Sequence, residues 1–520
     1  MYAESAYSLL VPLCVVVLVL ITRRVVLSLF VGLCLAGILI GFGDSILYGG
    51  EILWGDHLGR ALFYVYHSLS GVLYTVDDGG LQLEWSSLYV FGFLFVLGIL
   101  TQLVSYSGGV SAFVAWARKR VNSARGSEFL AFIAGLVIFI DDYFNALTVG
   151  QISKSLNDAN HSTRERLAYI IDSTAAPVCI LVPLSSWGAY ILGLLSGMGE
   201  ENGLFMLLAS IWGNYYAWLA LFGVLLVIYW QVNLPAMKRN QNIGVKDLKQ
   251  AKQRPPSHLA LLLLPILALI VLVAVLILYT GYVEAKQGGG TYESIGLIEM
   301  LANTQTGFSL FWGGVGALFL GFAISYKHLD AGDLWPLCKL GILSMLPASL
   351  ILVLAWGIGP VIKEDLKSGI YLASLSKTWL ESSSLSPSVV VPLCVFVISG
   401  FMAFCTGTSW GSFAIMLPIA SSLALAQGLD FSLIMSAVLS GAVYGDHASP
   451  ISDTTILSAT GAGCSVQSHF ITQLPYVSTI AAISFISFLV ASISSSLIAG
   501  HVIGLLLCFG IFWLYKTRYA

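Results

Sequence analysis

The chain has 520 residues, 57% of them hydrophobic and only 10% charged, with a net charge of −3 and a mean hydropathy of +0.87. Soluble domains carry about 25% charged residues, so a soluble fold is excluded and an all-α polytopic membrane protein is expected. No basic arm or polar domain points to a nucleic-acid partner.

Apolar runs long enough to span a bilayer, about 17 to 25 residues, fall in chain order at 7–22, 25–41, 86–104, 168–195, 204–230, 257–280, 307–325, 342–358, 432–463, 475–498 and 500–516. The first run lacks a basic leader and a cleavage signature, and it ends at Arg23 and Arg24. It reads as a retained helix rather than a signal peptide. Two further apolar segments, 128–157 and 390–428, are interrupted near their middles. The cysteines lie mostly within apolar runs (Cys14, Cys34, Cys179, Cys394, Cys405, Cys508) and form no CxxC pair. They read as buried thiols, with neither a disulfide frame nor a metal site.

Basic loops fall at 118–125 ("RKRVNSAR"), 238–254 and 516–518, and acidic ones at 42–85, 199–202 and 281–300. The basic loops are therefore cytoplasmic by the positive-inside rule. Segment 128–157 is flanked on both sides by basic loops, the second being "KSLNDANHSTRER" at 154–166. A single crossing would separate them, whereas a re-entrant hairpin with its tip at "DDYFN" keeps both inside. The same test places 390–428 in a hairpin entering from outside, its tip at "TGTSWG" (406–411). Irregular backbone at membrane depth is tolerated only where it is buried in protein or lines a wet cavity.

This gives eleven spans and two hairpins arranged as an inverted repeat: 1–230, a cytoplasmic linker at 231–256, a second copy at 257–498 and an extra helix at 499–520. Laying 177–189 over 450–462 pairs Pro177 with Pro450 and Ser185 with Ser458. The helix after each hairpin, 168–195 and 432–463, is itself expected to be broken, by "IIDSTAAPVC" and "GDHASPISDTTI". Inverted symmetry would bring the four unwound points together near the midplane, where half-helix ends carry partial charges of both signs.

The polar residues at these points are Asp141, Asp142, Asn145, Thr148, Asp172, Ser173, Thr174, Thr406, Thr408, Ser409, Asp446, His447, Ser449, Ser452, Asp453, Thr454 and Thr455. The set is rich in oxygen and contains no Lys or Arg, which suits a hard cation such as sodium. Crowded acids at this depth are costly unless each holds a cation or a proton. A carboxylate that takes one at the expense of the other is the minimal sodium/proton exchanger. Asp142, Asp446 and Asp453 are the expected sodium ligands. The simpler readings are helix caps for Asp141, Asp142, Asp172 and Asp446, a structural partner for His447, packing for Trp187 and Trp410, and solvated membrane-edge positions for Glu128 and Glu165.

"DDYFNALTVG", "DSTAAPVCILVPLSSWGAY", "GTSWGSF" and "GDHASPISDTTIL", in this order, resemble the NhaC-type sodium/proton antiporter family. The resemblance implies an inner-membrane secondary carrier with re-entrant hairpins and an alternating-access motion. It implies that Asp141, Asp142, Asp446 and Asp453 belong to the ion site. Similar carriers couple sodium or protons to amino acids or organic acids, and Ser185, Ser186, Trp187 and Trp410 leave room for such a solute. The expected partners are Na+, H+ and membrane lipid, with an organic solute and a homodimer left open, and no cofactor beyond the transported ions. A channel is disfavoured by paired broken helices. An intramembrane aspartyl protease would need GxGD and YD stretches, but Asp446 follows "VYG" and Asp141 follows "FI".

Overall fold

A computed structural model describes residues 5–22, 24–48, 54–77, 80–200, 202–239, 255–287, 296–297, 300, 303–367, 370–371 and 386–519. The apolar runs are helical. In chain order the helices are α1 (Leu10–Thr22), α2 (Val25–Tyr48), α3 (Trp54–Ser70), α4 (Trp85–Tyr106), α5 (Gly109–Arg118), α6 (Ala124–Val137), α7 (Asp142–Ala159), α8 (Arg164–Leu181), α9 (Ser186–Gly197), α10 (Gly203–Gly213), α11 (Tyr215–Trp230) and α12 (Pro235–Arg239). The second part contains α13 (Ala260–Gln287), α14 (Thr306–Ser325), α15 (Leu334–Pro360), α16 (Pro387–Thr406), α17 (Ser409–Gln427), α18 (Phe431–His447), α19 (Asp453–Ala462), α20 (Val466–Ser494) and α21 (Leu497–Tyr519). Among the described residues the only strands form a short antiparallel hairpin, β1 (Tyr74–Asp77) and β2 (Gly80–Leu83), with Tyr74 opposite Leu83. It lies in the acidic region 42–85, where the sequence offered no apolar run.

Eight of the described helices (α4, α13 to α17, α20 and α21) are long and apolar enough to span, or ten spans if the bent pairs α8–α9 and α10–α11 each count as one. The first two expected spans are present as shorter apolar helices, 6–18 and 26–42. The run read as one straight span, 204–230, is bent by 45°, because Asn214 leaves helical geometry and caps α11 by accepting from the Ala217 N–H at 3.3 Å. Amphipathic α3 lies along α2, where Gly37 and Gly41 admit its carbonyl groups. A Cβ on either would sit 2.8 Å from the carbonyl oxygen of Ala61 or His57.

The helices α6 and α7 form a hairpin. The Ser162 hydroxyl, just beyond α7, donates to Glu128 Oε1 at 2.6 Å, which returns the chain to the end where α6 began. The Asn145 amide donates to the carbonyls of Gly135 and Ile138, each at 2.7 Å, and so serves the open end of α6. A buried carbonyl without such a donor would cost about 1–3 kcal/mol. The second hairpin, α16 and α17, turns at Gly407, whose φ of +71° is the left-handed conformation that glycine adopts freely. Helices α16 and α18 run side by side in the same direction, since a Cβ on Gly441 or Gly445 would collide with the carbonyls of Phe396 and Gly400 in turn.

After each hairpin comes a broken helix. Helices α7, α8 and α9 begin at residues 142, 164 and 186, and α17, α18 and α19 at 409, 431 and 453, a constant offset of 267. The N-caps match as well: Asp141 with Thr408, Thr163 with Asp430, and Ser185 with Ser452. This register corrects the pairing of 177–189 with 450–462. Pro177 lies inside α8, whereas Pro450 lies in the break between α18 and α19. Prolines in one span mark different points, because a helix in tight packing can retain one while its neighbours satisfy the freed carbonyl.

Candidate functional site

The tip of the first hairpin meets the break of the first split helix. Asp141 caps α7, its Oδ1 accepting from the Phe144 N–H at 3.0 Å, and its Oδ2 accepts from the Ser186 hydroxyl at 3.0 Å. The Ser186 N–H donates to the Ile140 carbonyl at 2.8 Å. Ser185 closes the break, donating to the Cys179 carbonyl at 2.6 Å and accepting from the Gly188 N–H at 3.0 Å. Asp142 is different: it is 1% exposed, and neither of its carboxylate oxygens has a hydrogen-bond donor. The Trp187 indole N–H lies beside it, turned toward the carboxylate but outside good hydrogen-bond geometry, and has no other acceptor.

The second hairpin and second break repeat the arrangement with the acid on the other partner. Asp446, at the end of α18, accepts from the Ser409 N–H at 3.2 Å and the Ser409 hydroxyl at 2.8 Å through Oδ2, and from the Ser452 hydroxyl through Oδ1. Ser409 opens α17 and Ser452 caps α19, so one carboxylate ties a hairpin tip to a helix break. Thr454 bonds with Ser452 at 2.9 Å, and Ser449 donates to the Phe404 carbonyl at 2.7 Å. Asp141 and Asp446 are the acids whose charge acts most strongly on Asp142. The aromatic rings fill the space between the halves: Trp187 lies 5.8 Å from Trp410, and the Tyr190 hydroxyl donates to the Trp410 carbonyl at 3.0 Å.

A second buried cluster surrounds Asp172 in the middle of α8. Its Oδ2 accepts from His469 Nε2 at 3.1 Å, the Gln473 amide at 2.9 Å and the Thr455 hydroxyl at 3.3 Å, while Oδ1 has no donor. His447 Nε2 lies 4.0 Å from the same carboxylate and 3.2 Å from the Ser173 hydroxyl, and its Nδ1 bonds with the Tyr216 hydroxyl at 2.9 Å. The sequence reading missed His469, Gln473 and Tyr216. The signal was present in "HFITQ", where His469, Thr472 and Gln473 fall at helical spacing on one face. The expected span began only at 475, however, and left them out.

Of the residues named from sequence, the structure gathers Asp141, Asp142, Ser186, Ser409, Asp446, Thr454 and their partners at the tips, and Asp172, Ser173 and His447 in the second cluster. Asn145, Thr174, Ser185 and Ser449 are engaged with backbone instead; Thr174 bonds with its own helix at Ile170, 2.8 Å away, and packs on Gly135. Thr408 takes the N-cap position of α17 without a side-chain bond. Asp453 is exposed, accepts from the Tyr143 hydroxyl at 3.2 Å, and lines a cavity of about 800 Å³ together with Asp141, Thr408 and Trp410. Among the described residues no three His, Cys, Asp or Glu side chains converge on one metal-sized point. A cation here would be held by one or two carboxylates with hydroxyl and carbonyl oxygens.

Glu128 and Glu165 correct the expectation of solvated edge positions, for both are buried. Arg166 grips Glu128 with two bonds, Nε to Oε1 at 2.8 Å and Nη2 to Oε2 at 2.7 Å, and donates to the Val232 carbonyl at 3.0 Å. Glu165 accepts from the Ser468 hydroxyl at 3.0 Å. Two acids beside arginines in a charged loop resemble a solvated surface until the fold folds that loop inward.

The chain is similar to several known proteins. It is 35% identical over 513 residues to an uncharacterized protein of Haemophilus influenzae, covering 96% of this chain and 93% of that one. It is 31% identical over 153 residues to the malate-2H+/Na+-lactate antiporter of Bacillus subtilis, 29% of this chain and 31% of that one. In fold it is similar to the YdaH transporter of Alcanivorax borkumensis, with a TM-score of 0.55 at 15% identity, covering 94% and 99% of the two chains. A sequence model described as the Na+/H+ antiporter family matches residues 178–493, which include both broken helices' second halves and the whole second hairpin. The chain is an integral, multi-pass membrane transporter rather than an enzyme, and it belongs to the Na+/H+ antiporter family.

Proposed function

We propose that the protein exchanges sodium for protons across a bacterial inner membrane, with Asp142 and Asp446 holding the two ions alternately. The observation that carries this reading is Asp142, a wholly buried carboxylate that makes no well-formed hydrogen bond and has the Trp187 indole N–H beside it. A charge left in that state at membrane depth costs at least about 2.5–3.5 kcal/mol, and a sodium ion or a proton removes that cost. Asp446 supplies a second carboxylate on an independent element, with Ser409 and Ser452 as further oxygen ligands. The constant helix offset supports two inverted repeats, 1–230 and 257–498, rocking about the tips. Asp453, on the cavity wall, receives ions on their way in.

The test is sodium binding by calorimetry between about pH 5.5 and 8.5. Each proton displaced per sodium weakens the apparent constant about tenfold per pH unit as pH falls below the relevant pKa. The acids titrate as a group, so that pKa belongs to the cluster. A sodium affinity that stays flat with pH would remove the exchange mechanism.

A second reading is favoured by the cavity of about 800 Å³ beside the tips and by the relative named for malate and lactate. In it, the same ion site drives a small organic acid. Proteoliposomes loaded with sodium alone, and then with sodium and malate or lactate, separate the two.

A further inference from the structure

The cavity that borders the hairpin tips, about 800 Å³, is far larger than one cation and its oxygen shell require. It falls in the range of roughly 300–1,000 Å³ usual for small-molecule sites. One of its walls carries two acids, Asp141 and Asp453, which suit the ion. Another wall carries Arg24, at the junction of α1 and α2. The polar inventory taken from the unwound points held no basic residue, so this guanidinium is an addition of the fold. Among the described residues Arg24 has no ion-pair partner.

Arg24 stands exposed in the short turn between two apolar helices, where its long side chain can reach the cavity it lines while its charge stays solvated. Its planar fork matches a carboxylate with two parallel bonds, which an ammonium cannot do. The remaining polar groups on the cavity, the hydroxyls of Tyr143, Ser344, Thr406 and Thr408, offer hydrogen bonds to a hydroxyl or carbonyl group, and Trp410 offers an apolar face. The cavity lining therefore carries charges of both signs, which suit an anion and a cation together.

We propose that Arg24 anchors the carboxylate of a small organic anion in this cavity, so that anion and sodium occupy it together. This rests on the second reading above and adds to it the residue that recognises the solute. The sodium ion between the acids and the solute would offset the repulsion that Asp141 and Asp453 otherwise exert on a carboxylate. Binding of the anion should therefore require sodium, and sodium should bind more tightly in its presence, by reciprocal linkage.

The experiment is calorimetry on the purified protein with lactate, malate and, as the uncharged analogue, lactamide, each in sodium chloride and in choline chloride. Lactate or malate should bind in sodium and not in choline, and lactamide should bind in neither. Arg24→Gln should weaken the carboxylate by about tenfold or more while leaving sodium binding in place, and Arg24→Lys should recover part of the loss. Neither carboxylate binding to a parent that still binds sodium overturns the proposal. So does lactamide binding as well as lactate, a comparison that needs no variant to fold. A parent that binds no sodium at all strikes the ion site instead.

Discussion

Asp141 and Asp142 are neighbours in the chain with opposite bonding: Asp141 accepts from the Phe144 N–H and the Ser186 hydroxyl, each at 3.0 Å, whereas Asp142 makes no well-formed hydrogen bond. The first is what a hairpin tip needs to start a helix. The second does nothing for the fold that an amide could not do. One DD pair thus divides a structural duty from an ionic one.

Asp142→Asn should therefore abolish sodium-coupled transport and leave thermal stability at or above that of the parent, since it removes an uncompensated charge. Asp446→Asn should abolish transport too. Asp141→Ala should lower stability by about 1 kcal/mol, the usual worth of an N-cap, while Asp141→Asn, still a good cap, should lower it less. Sodium uptake in vesicles and thermal unfolding read out the two effects separately. Full transport by both Asp142→Asn and Asp446→Asn would refute the assignment.

Asp172 and His469 should behave as a coupled pair. A hydrogen bond to a charged group contributes about 1.5–3 kcal/mol, and each single change leaves a buried partner unmet. Asp172→Asn and His469→Gln should each destabilise the protein, and the double variant should be no worse than the worse single. A double-mutant cycle on thermal stability measures this. Simple additivity would mean that the 3.1 Å contact carries no energy.

The hairpins, the breaks and most of the acids were legible because each is an interruption of an apolar run, and lipid makes interruptions costly. The register of the repeat was not. Proline and small residues recur throughout membrane helices, so Pro177 over Pro450 was a match of common residues, while the register shared by the helix starts pairs Ser185 with Ser452, both N-caps. Arg24 and His469 were missed for a related reason. Each sits at the edge of a span in sequence; His469 is buried only through packing between distant helices, and Arg24 borders the cavity from an exposed turn.

Glu128 and Arg166 anchor the base of the first hairpin to α8. Both are nearly free of solvent, 1% and 4% exposed at the side chain, and their closest atoms lie 2.7 Å apart. Breaking such a pair by removing one partner costs about 3–5 kcal/mol, more than the pair itself contributes, because a buried charge is left alone. Glu128→Gln should lower the yield of folded protein sharply. Glu128→Gln with Arg166→Met should recover much of it, as measured by thermal unfolding in detergent. A double variant worse than the single would show that the pair is needed for more than charge balance.

The first hairpin should carry both of its flanking loops on the cytoplasmic side. Helix α6 has 14 residues, about 21 Å at 1.5 Å per residue, short of the roughly 30 Å hydrocarbon core. Helix α7 then brings the chain back, since Ser162 bonds with Glu128 at 2.6 Å. Arg120 and His161 are exposed on the two flanks, and both flanks are rich in Lys and Arg, which favour the cytoplasm. Arg120→Cys and His161→Cys, each in a background freed of native cysteines because Cys394 is itself exposed, should react with an impermeant maleimide in inside-out vesicles and be protected in right-side-out ones. Labelling of the two from opposite faces would mean that 128–157 crosses the membrane. The two broken helices would then not be related by inversion, and the proposed sharing of an ion site by Asp142 and Asp446 between two counter-moving halves would fail.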